Sequence, residues 1–300
     1  MRKNILVTGS HRSGSTWVGK VLAKSEHSYY IHEPFNLGNK SSYKTPLNYW
    51  FEYIGNDSVK QQAFVDYIHY YCNGNFHSLY DRMKRNSIRS YPYILKSETL
   101  KILNRNKRKI FKDPIAFFSA DFFYNYFDSD VAILIRHPAA FAESLKSKDW
   151  KHDFTHFIQQ PDLMENKLLP FKSDIQAFLT DNEKQKDIIE HAILLWNIFH
   201  HQILEYQKNY NSWHFIKHET LSINPQEEFK ILFKKLNIEF DSTVEKFITE
   251  TTSSDSVDGE YRNALTNVKK WKTRLTSHEI ERIYFGTEKI SKLFYSKEEW

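Results

Sequence analysis

The sequence contains one cysteine, Cys72, in 300 residues. A lone thiol cannot build an internal disulfide framework, so the chain suits a reducing compartment. No apolar run approaches the roughly 20 residues needed to span a bilayer. Met1-Arg2-Lys3 leads straight into a short strand-like segment, not into the apolar region of a signal peptide. Internal repeats, low-complexity tracts and a second-domain linker are missing, and no Cys or His spacing suits zinc. Charge of either sign is in short surplus: the net value is +5, which suits a small anionic ligand but is too weak and too dispersed to imply nucleic acid. Aromatics, by contrast, are plentiful, with 18 Tyr, 23 Phe and 7 Trp. Many must be core, and Tyr and Trp also suit the faces of sugars and other flat ligands. The length allows one large α/β domain over 1–300 with a substantial core.

The most informative stretch lies near the N-terminus. Asn4-Ile5-Leu6-Val7-Thr8 is an apolar run of the kind found in a strand buried on both faces. Gly9-Ser10-His11-Arg12-Ser13-Gly14 follows as a tight loop, and Val18, Val21 and Leu22 then fall on one helical face. A helix starting at Ser15 aims free backbone N–H groups and its positive dipole end at the loop, which makes an anion site. Gly9 and Gly14 have the spacing of the nucleotide-binding pattern GxxxxGK[ST], but Ser15 stands where that pattern has Lys. The missing lysine is the one that reaches the β- and γ-phosphates, so ordinary ATP or GTP hydrolysis is disfavoured, while Arg12 puts a different cation inside the cradle.

Further along, Tyr29 to Phe35 reads as a short strand or extended segment ended by Pro34, which pushes Glu33 away from helical geometry. In a parallel sheet the C-terminal strand ends carry ligand sites, so Glu33 is expected on the rim beside the loop as a catalytic carboxylate. Helices are expected at about 45–54 and 58–72, and strands at Tyr93–Lys96 and Lys109–Lys112. Asp113 is expected to cap a Phe-rich helix from Ile115 to Phe127, with Pro114 at its first position. Val131–Ile135 is a second buried strand, and it delivers Arg136-His137-Pro138 to the rim with Ser144 two turns along the next helix. An Arg fork and a hydroxyl there make a second phosphate site. Residues 149–171 look irregular, as befits a mobile loop at a site. A helix over about 183–210, a strand at Trp213–Lys217 and a helix capped by Asn224 with Pro225 at its first position complete the core. Thr276 and Glu279 fit a capping box for a last helix, beginning at Ser277. The segments at about 36–92 and 149–184 are left as helical or irregular pieces on the substrate side.

Two phosphate-type sites on strand ends, one lacking the lysine, point to a nucleotide phosphorylated at both ends of its ribose. Here the sequence resembles the sulfotransferases that use 3′-phosphoadenosine 5′-phosphosulfate (PAPS). Arg12-Ser13-Gly14-Ser15-Thr16-Trp17 is similar to their 5′-phosphosulfate loop, and Ile135-Arg136-His137-Pro138 with Ser144 to their 3′-phosphate site. His32-Glu33-Pro34-Phe35 resembles the Glu-Pro segment of carbohydrate-type members; His218-Glu219 with Asn224-Pro225, and Trp271-Lys272 with Leu275, resemble later landmarks. The resemblance implies an α/β fold, P-loop-like, with a central, mainly parallel sheet flanked by helices. It implies that Arg12 contacts the 5′-phosphate and the departing oxygen, and that Ser13, Gly14, Ser15 and Thr16 wrap the phosphosulfate. By the same resemblance Trp17 lies near the adenine, Arg136 and Ser144 hold the 3′-phosphate, and Glu33 is the general base. The C-terminal basic loop departs from the familiar Arg-Lys-Gly, leaving Arg262, Lys269 and Lys270 as candidates to reach the same phosphate. No metal is implied. The acceptor implied is a hydroxyl, on a saccharide. Since Golgi members carry an N-terminal anchor that is not seen here, a soluble, cytoplasmic, bacterial-type protein is expected. The alternatives left by the residues themselves are a P-loop kinase or NTPase and a non-catalytic nucleotide- or glycan-binding module, with His32 or His11 as substitute bases.

Overall fold

The computed structural model describes residues 3–182, 185, 187–252 and 268–300. Five strands form one sheet: β1 (Asn4–Gly9), β2 (Ser28–His32), β3 (Arg108–Lys112), β4 (Ser129–Ile135) and β5 (His214–Lys217). Their spatial order is β2-β3-β1-β4-β5 and every pairing is parallel, with Leu6 opposite Phe111 on one side and Val131 on the other. The expected α/β architecture with a helix-flanked parallel sheet is therefore present. The two-residue alternation of a strand divides the core between the sheet's faces. Ile5, Val7, Ile110 and Leu134 pack with Val18, Leu22, Phe229 and Phe233 on one face, whereas Leu6, Phe111, Ile133 and Ile135 join the larger aromatic core on the other. Helix α1 (Ser15–Leu22) covers the first face, with Val18, Val21 and Leu22 fully buried.

The remaining helices include α2 (Ser58–Asn73), α3 (Phe76–Arg85), α4 (Tyr91–Leu103), α5 (Ala120–Tyr126) and α6 (Pro138–Lys146), followed by a long helix at Ile188–Asn209. Several expectations are corrected. Tyr93–Lys96 is not a strand but part of α4: Pro92 sits at a helix start, and Ile94, Glu98 and Lys101 form its buried face at helical spacing. Residues 45–54 are not a helix, because the buried Glu52 carboxylate accepts from the backbone N–H of Asn48 (2.8 Å) and Tyr49 (2.9 Å) and fixes a local turn instead. The expected helix at Ile115 starts only at Ala120, after a turn and a short 3₁₀ segment, Phe117–Ser119. Residues 149–171 are no loose loop; they hold short helices at Thr155–Ile158 and Pro161–Asn166 and bury Phe154, Phe157 and Leu163. The long helix begins at Ile188 because Asp187 caps it, accepting from Ile189 N (2.8 Å). Pro225 opens its helix as expected, but Asn224 makes no side-chain cap bond. The capping box at Thr276 and Glu279 is formed, on a helix that runs to Ser291.

The surplus positive charge is also less dispersed than its modest total implies. Residues 76–107 hold eight Lys and Arg against two acidic residues, a net +6 compared with +5 for the whole chain. No helix among the described residues is long and apolar enough to cross a membrane.

Candidate functional site

All five strands run in one direction, so their C-terminal ends share one edge of the sheet, and a cavity of about 1140 Å³ opens there. It is lined by Arg12 and Gly14–Trp17 after β1, Glu33 after β2, Lys112 at the end of β3, Arg136 after β4 and His218 after β5. Seven Lys and Arg side chains line it against two carboxylates, Glu33 and Glu143, so the space favours an anion.

The loop after β1 is shaped by its two glycines. Gly9 (φ +138°) passes so close to the Leu134 backbone on β4 that a Cβ would strike it, and a Cβ on Gly14 (φ +92°) would strike the His218 ring. Arg12 itself takes a left-handed φ of +63°. Strained non-glycine backbone of this kind concentrates at functional sites. Helix α1 then starts at Ser15 with no side-chain cap and no acidic residue in its first turn, leaving its N–H groups directed at the cavity. The hydroxyls of Ser10 and Ser13 are buried without a protein partner.

The two phosphate-type sites read from the sequence touch each other. Arg12 Nε donates to Ser144 Oγ at 2.9 Å, and Arg136 Nη1 donates to the Arg12 carbonyl. Arg136 Nε is buried without a partner. Behind it, the Trp196 indole donates to the Arg136 carbonyl (2.9 Å) and the His137 N–H donates to buried Glu219 (2.9 Å). Tyr295 O–H donates to the other Glu219 oxygen at 3.0 Å, and His137 stacks on Trp271 with centroids 4.9 Å apart. Burial raises the Glu219 carboxyl above its usual range, and burial lowers His137 to about 3, so the imidazole packs there neutral. On the outer wall Trp17 donates from Nε1 to Thr251 Oγ1 (3.1 Å) and meets Phe229 edge-on. The uncharged His218 ring, taken by burial to about 3, lies beside it.

Glu33 occupies the β2–β3 side of the cavity. Its φ of +43° is left-handed rather than the extended conformation that the following proline favours. Three interactions hold that turn: Glu33 N–H donates to Lys112 O (2.9 Å), Asn39 Nδ2 donates to Glu33 O (2.9 Å), and Phe35 N–H donates to Asp113 Oδ2 (2.7 Å). Asp113 also accepts from Ile115 N (3.0 Å) and Ala116 N (3.2 Å), so it caps a turn and braces the Glu33 corner instead of starting a helix. Burial, reinforced by the neighbouring Glu33 charge, pushes Asp113 up to about 7. For Glu33 itself burial acts upward too, but the Lys112 ammonium in contact with it, then His32 and an Asn36 amide hydrogen bond (2.8 Å), outweigh burial and hold the carboxyl below its ordinary value. Tyr30 and His32 stack beside it with centroids 6.0 Å apart, and Trp50 and Trp150 line the same space.

The structure thus brings Arg12, Gly14, Ser15, Thr16, Trp17, Glu33, Arg136, Ser144 and Lys270 to one cavity. Ser13 is buried behind the loop, Lys269 is exposed and does not line the cavity, and Arg262 lies outside the described residues. His11, one of the substitute bases, reaches the cavity lining from within the loop but is almost wholly buried, its ring edge-on to Trp150 at 3.8 Å, and burial keeps it neutral. His32 is exposed. Sequence reading gave no role to Lys112, Lys20, His218 or Thr251, all of which line the cavity. Lys112 and His218 had a usable signal, since each stands at the C-terminal end of a strand.

The helix-flanked, five-stranded parallel sheet has the fold of solved sulfotransferase domains. The chain is similar to the sulfotransferase domain from the curacin biosynthetic pathway, with a TM-score of 0.50, 16% identity and 99% of each chain covered. It is also similar to the sulfotransferase domain of the Synechococcus PCC 7002 olefin synthase, with a TM-score of 0.51, 15% identity, and 98% of this chain and 96% of that one covered. No family model and no curated protein matches the sequence.

Proposed function

We propose that this chain is a sulfotransferase that moves a sulfuryl group from PAPS to an acceptor hydroxyl. The observation that carries the reading is the joining of two basic phosphate-type sites through Arg12, Arg136 and Ser144, with a half-buried carboxylate, Glu33, across the same cavity. The donor set suits PAPS: the N–H groups of α1 and Arg12 for the phosphosulfate, Arg136 with an unpartnered Nε and Ser144 for the 3′-phosphate, and Trp17 for the base. Lys270 lines the cavity and is the C-terminal cation assigned to that phosphate. The bound donor supplies the activated sulfuryl group; the rest is the work of the chain. Glu33 accepts the proton of the acceptor hydroxyl as the oxygen–sulfur bond forms, and Lys112 ensures that Glu33 is ionised when the acceptor enters. As the sulfur–oxygen bond to the nucleotide breaks, Arg12 and the loop N–H groups stabilise the charge left on the 5′-phosphate. With these cations in place no metal is required.

For the acceptor, the stacked Tyr30–His32 pair with Trp50 and Trp150 supports a saccharide, whose apolar ring faces pack on aromatic planes. The test has two parts. Calorimetry should show tighter binding of 3′,5′-bisphosphoadenosine than of ATP–Mg²⁺, and labelled sulfate should pass from PAPS to members of a saccharide panel. Tighter binding of ATP would replace the reading with a kinase or NTPase. Tight bisphosphoadenosine binding without transfer to any hydroxyl would leave a non-catalytic nucleotide-binding module.

A further inference from the structure

The basic segment 76–107 lies outside the cavity and is unused by the chemistry proposed above. It comprises α3, a turn and α4. Both of its carboxylates are spent locally. Glu98 is buried between Arg82 (2.6 Å) and Lys101 (3.1 Å), and Asp81 faces His77 at 3.5 Å. The other cations, Lys84, Arg85, Arg89, Lys96, Arg105 and Lys107, are exposed. The same segment holds eight of the fifteen large hydrophobic side chains that are strongly exposed among the described residues. Phe76 is 88% exposed, Tyr93 78%, Ile88 76% and Leu103 72%. Only Ser78 of α3 and Ile94, Glu98 and Lys101 of α4 are buried. Exposed apolar groups and unopposed cations on one hairpin describe a surface with a partner.

We propose that residues 76–107 dock the protein on an anionic lipid membrane, peripherally, with Phe76, Ile88, Tyr93 and Leu103 entering the boundary between headgroups and acyl chains. The exposed Lys and Arg side chains pair with lipid phosphates around them. Charge complementarity selects an anionic partner. The apolar groups select lipid over nucleic acid, because a phosphodiester backbone offers them nothing to bury against. They also select lipid over an acidic protein. At helical spacing Leu95 and Ile102 emerge on one flank of α4 and Tyr93 and Leu100 on the other, with Leu103 between. A fluid interface accommodates such a spread, whereas a folded partner needs one matched face.

The hairpin joins the Glu33 side of the molecule. Tyr43 lies against Arg82 and Lys101, with the charges 4.4 and 4.7 Å from its ring, and Ser42 Oγ donates to Asn86 at 3.2 Å. That segment continues directly from Asn39, which holds the Glu33 turn. The docking itself does not depend on the reaction assigned to Glu33.

Vesicle co-sedimentation of the full chain tests the proposal. The protein should pellet with vesicles of mixed phosphatidylcholine and phosphatidylglycerol, remain in solution with phosphatidylcholine alone, and be released by high salt. The charge variant K84E/R85E/R89E/K96E should lose on the order of a hundredfold in vesicle affinity. The apolar variant F76S/I88S/Y93S/L103S, which keeps every charge, should lose about tenfold or more. Unchanged circular dichroism and unchanged bisphosphoadenosine binding would certify that each variant is folded. Absence of wild-type binding to anionic vesicles at low salt overturns the proposal. So does an apolar variant that binds like wild type, since that result marks a general polyanion surface such as one for nucleic acid or an acidic protein.

Discussion

On the β1–β4 side of the cavity, the ligand-facing groups come from two loop–helix junctions, each leaving a strand that is buried but for one residue. Arg12, Arg136 and Ser144 are fixed there by hydrogen bonds to one another, beside the uncapped N-terminus of α1. On the β2–β3 side, Glu33 and Lys112 come from neighbouring strand ends, but Trp50 and Trp150 arrive from segments without regular structure about a hundred residues apart. One side is built from two short motifs, 9–17 and 135–144, and from main chain, and suits a ligand that does not vary. The other is built from dispersed side chains, and suits a ligand that does. Under the function proposed above, donor and acceptor recognition can then change separately, with the carboxylate at the seam between them.

The most severe test of that division is Glu33→Gln. It should lower kcat by about 10²–10⁴-fold while leaving bisphosphoadenosine affinity unchanged by calorimetry. A fully active variant would remove Glu33 from proton transfer. Asp113→Ala comes next. It removes three accepted backbone N–H bonds from a buried carboxylate and should cost about 2–4 kcal/mol in denaturant unfolding. A loss under about 1 kcal/mol would show that the brace is dispensable.

Arg136→Ala should weaken bisphosphoadenosine about 10–100-fold, as expected for loss of charge-assisted bonds, with little change in the acceptor KM. An equal effect on both ligands would break the separation of the two sides. Lys112→Met acts through pH. Lys112 holds the Glu33 carboxyl down against burial, so without it the protonated, inactive form persists to higher pH. The acid limb of kcat/KM should then move upward; a limb that stays in place or moves down would refute the pairing. The smallest expected effect is that of a chelator: transfer should proceed at the same rate with EDTA, and a loss reversed by added divalent cation would reveal a metal requirement.

Much of the β1–β4 side was legible in the sequence because each of its two motifs is contiguous in itself. Gly9, Gly14, the absent lysine, and a cation at the end of a second buried strand can be read without knowing any long-range contact. Glu33 was legible from Pro34 and the strand-end rule, but its pairing with Lys112 depends on β2 lying next to β3, which no local pattern states. The strand expected at Tyr93–Lys96 failed because a short apolar run fits either a strand or a helix. Pro92 and the buried Ile94, Glu98 and Lys101 decide for the helix only once the neighbours of α4 are known. The helix expected at 45–54 failed because one buried carboxylate, Glu52, satisfies backbone groups that a helix would otherwise have paired. A single net charge also hid a local surplus, since +6 in 76–107 is masked by a nearly neutral remainder.

Asp113 gives the fold a property that matters for how such a protein changes over time. One carboxylate secures the corner that carries Glu33 and also the turn that leaves β3, so neither can be exchanged as a cassette without the other. Grafting a new segment over residues 33–36 would carry a folding penalty before it conferred any new acceptor preference. Trp50 bears no such double duty, whereas Trp150 also packs edge-on against His11 of the loop after β1. New acceptor preferences should therefore arise first by single substitutions at Trp50, with the Glu33 corner inherited unchanged.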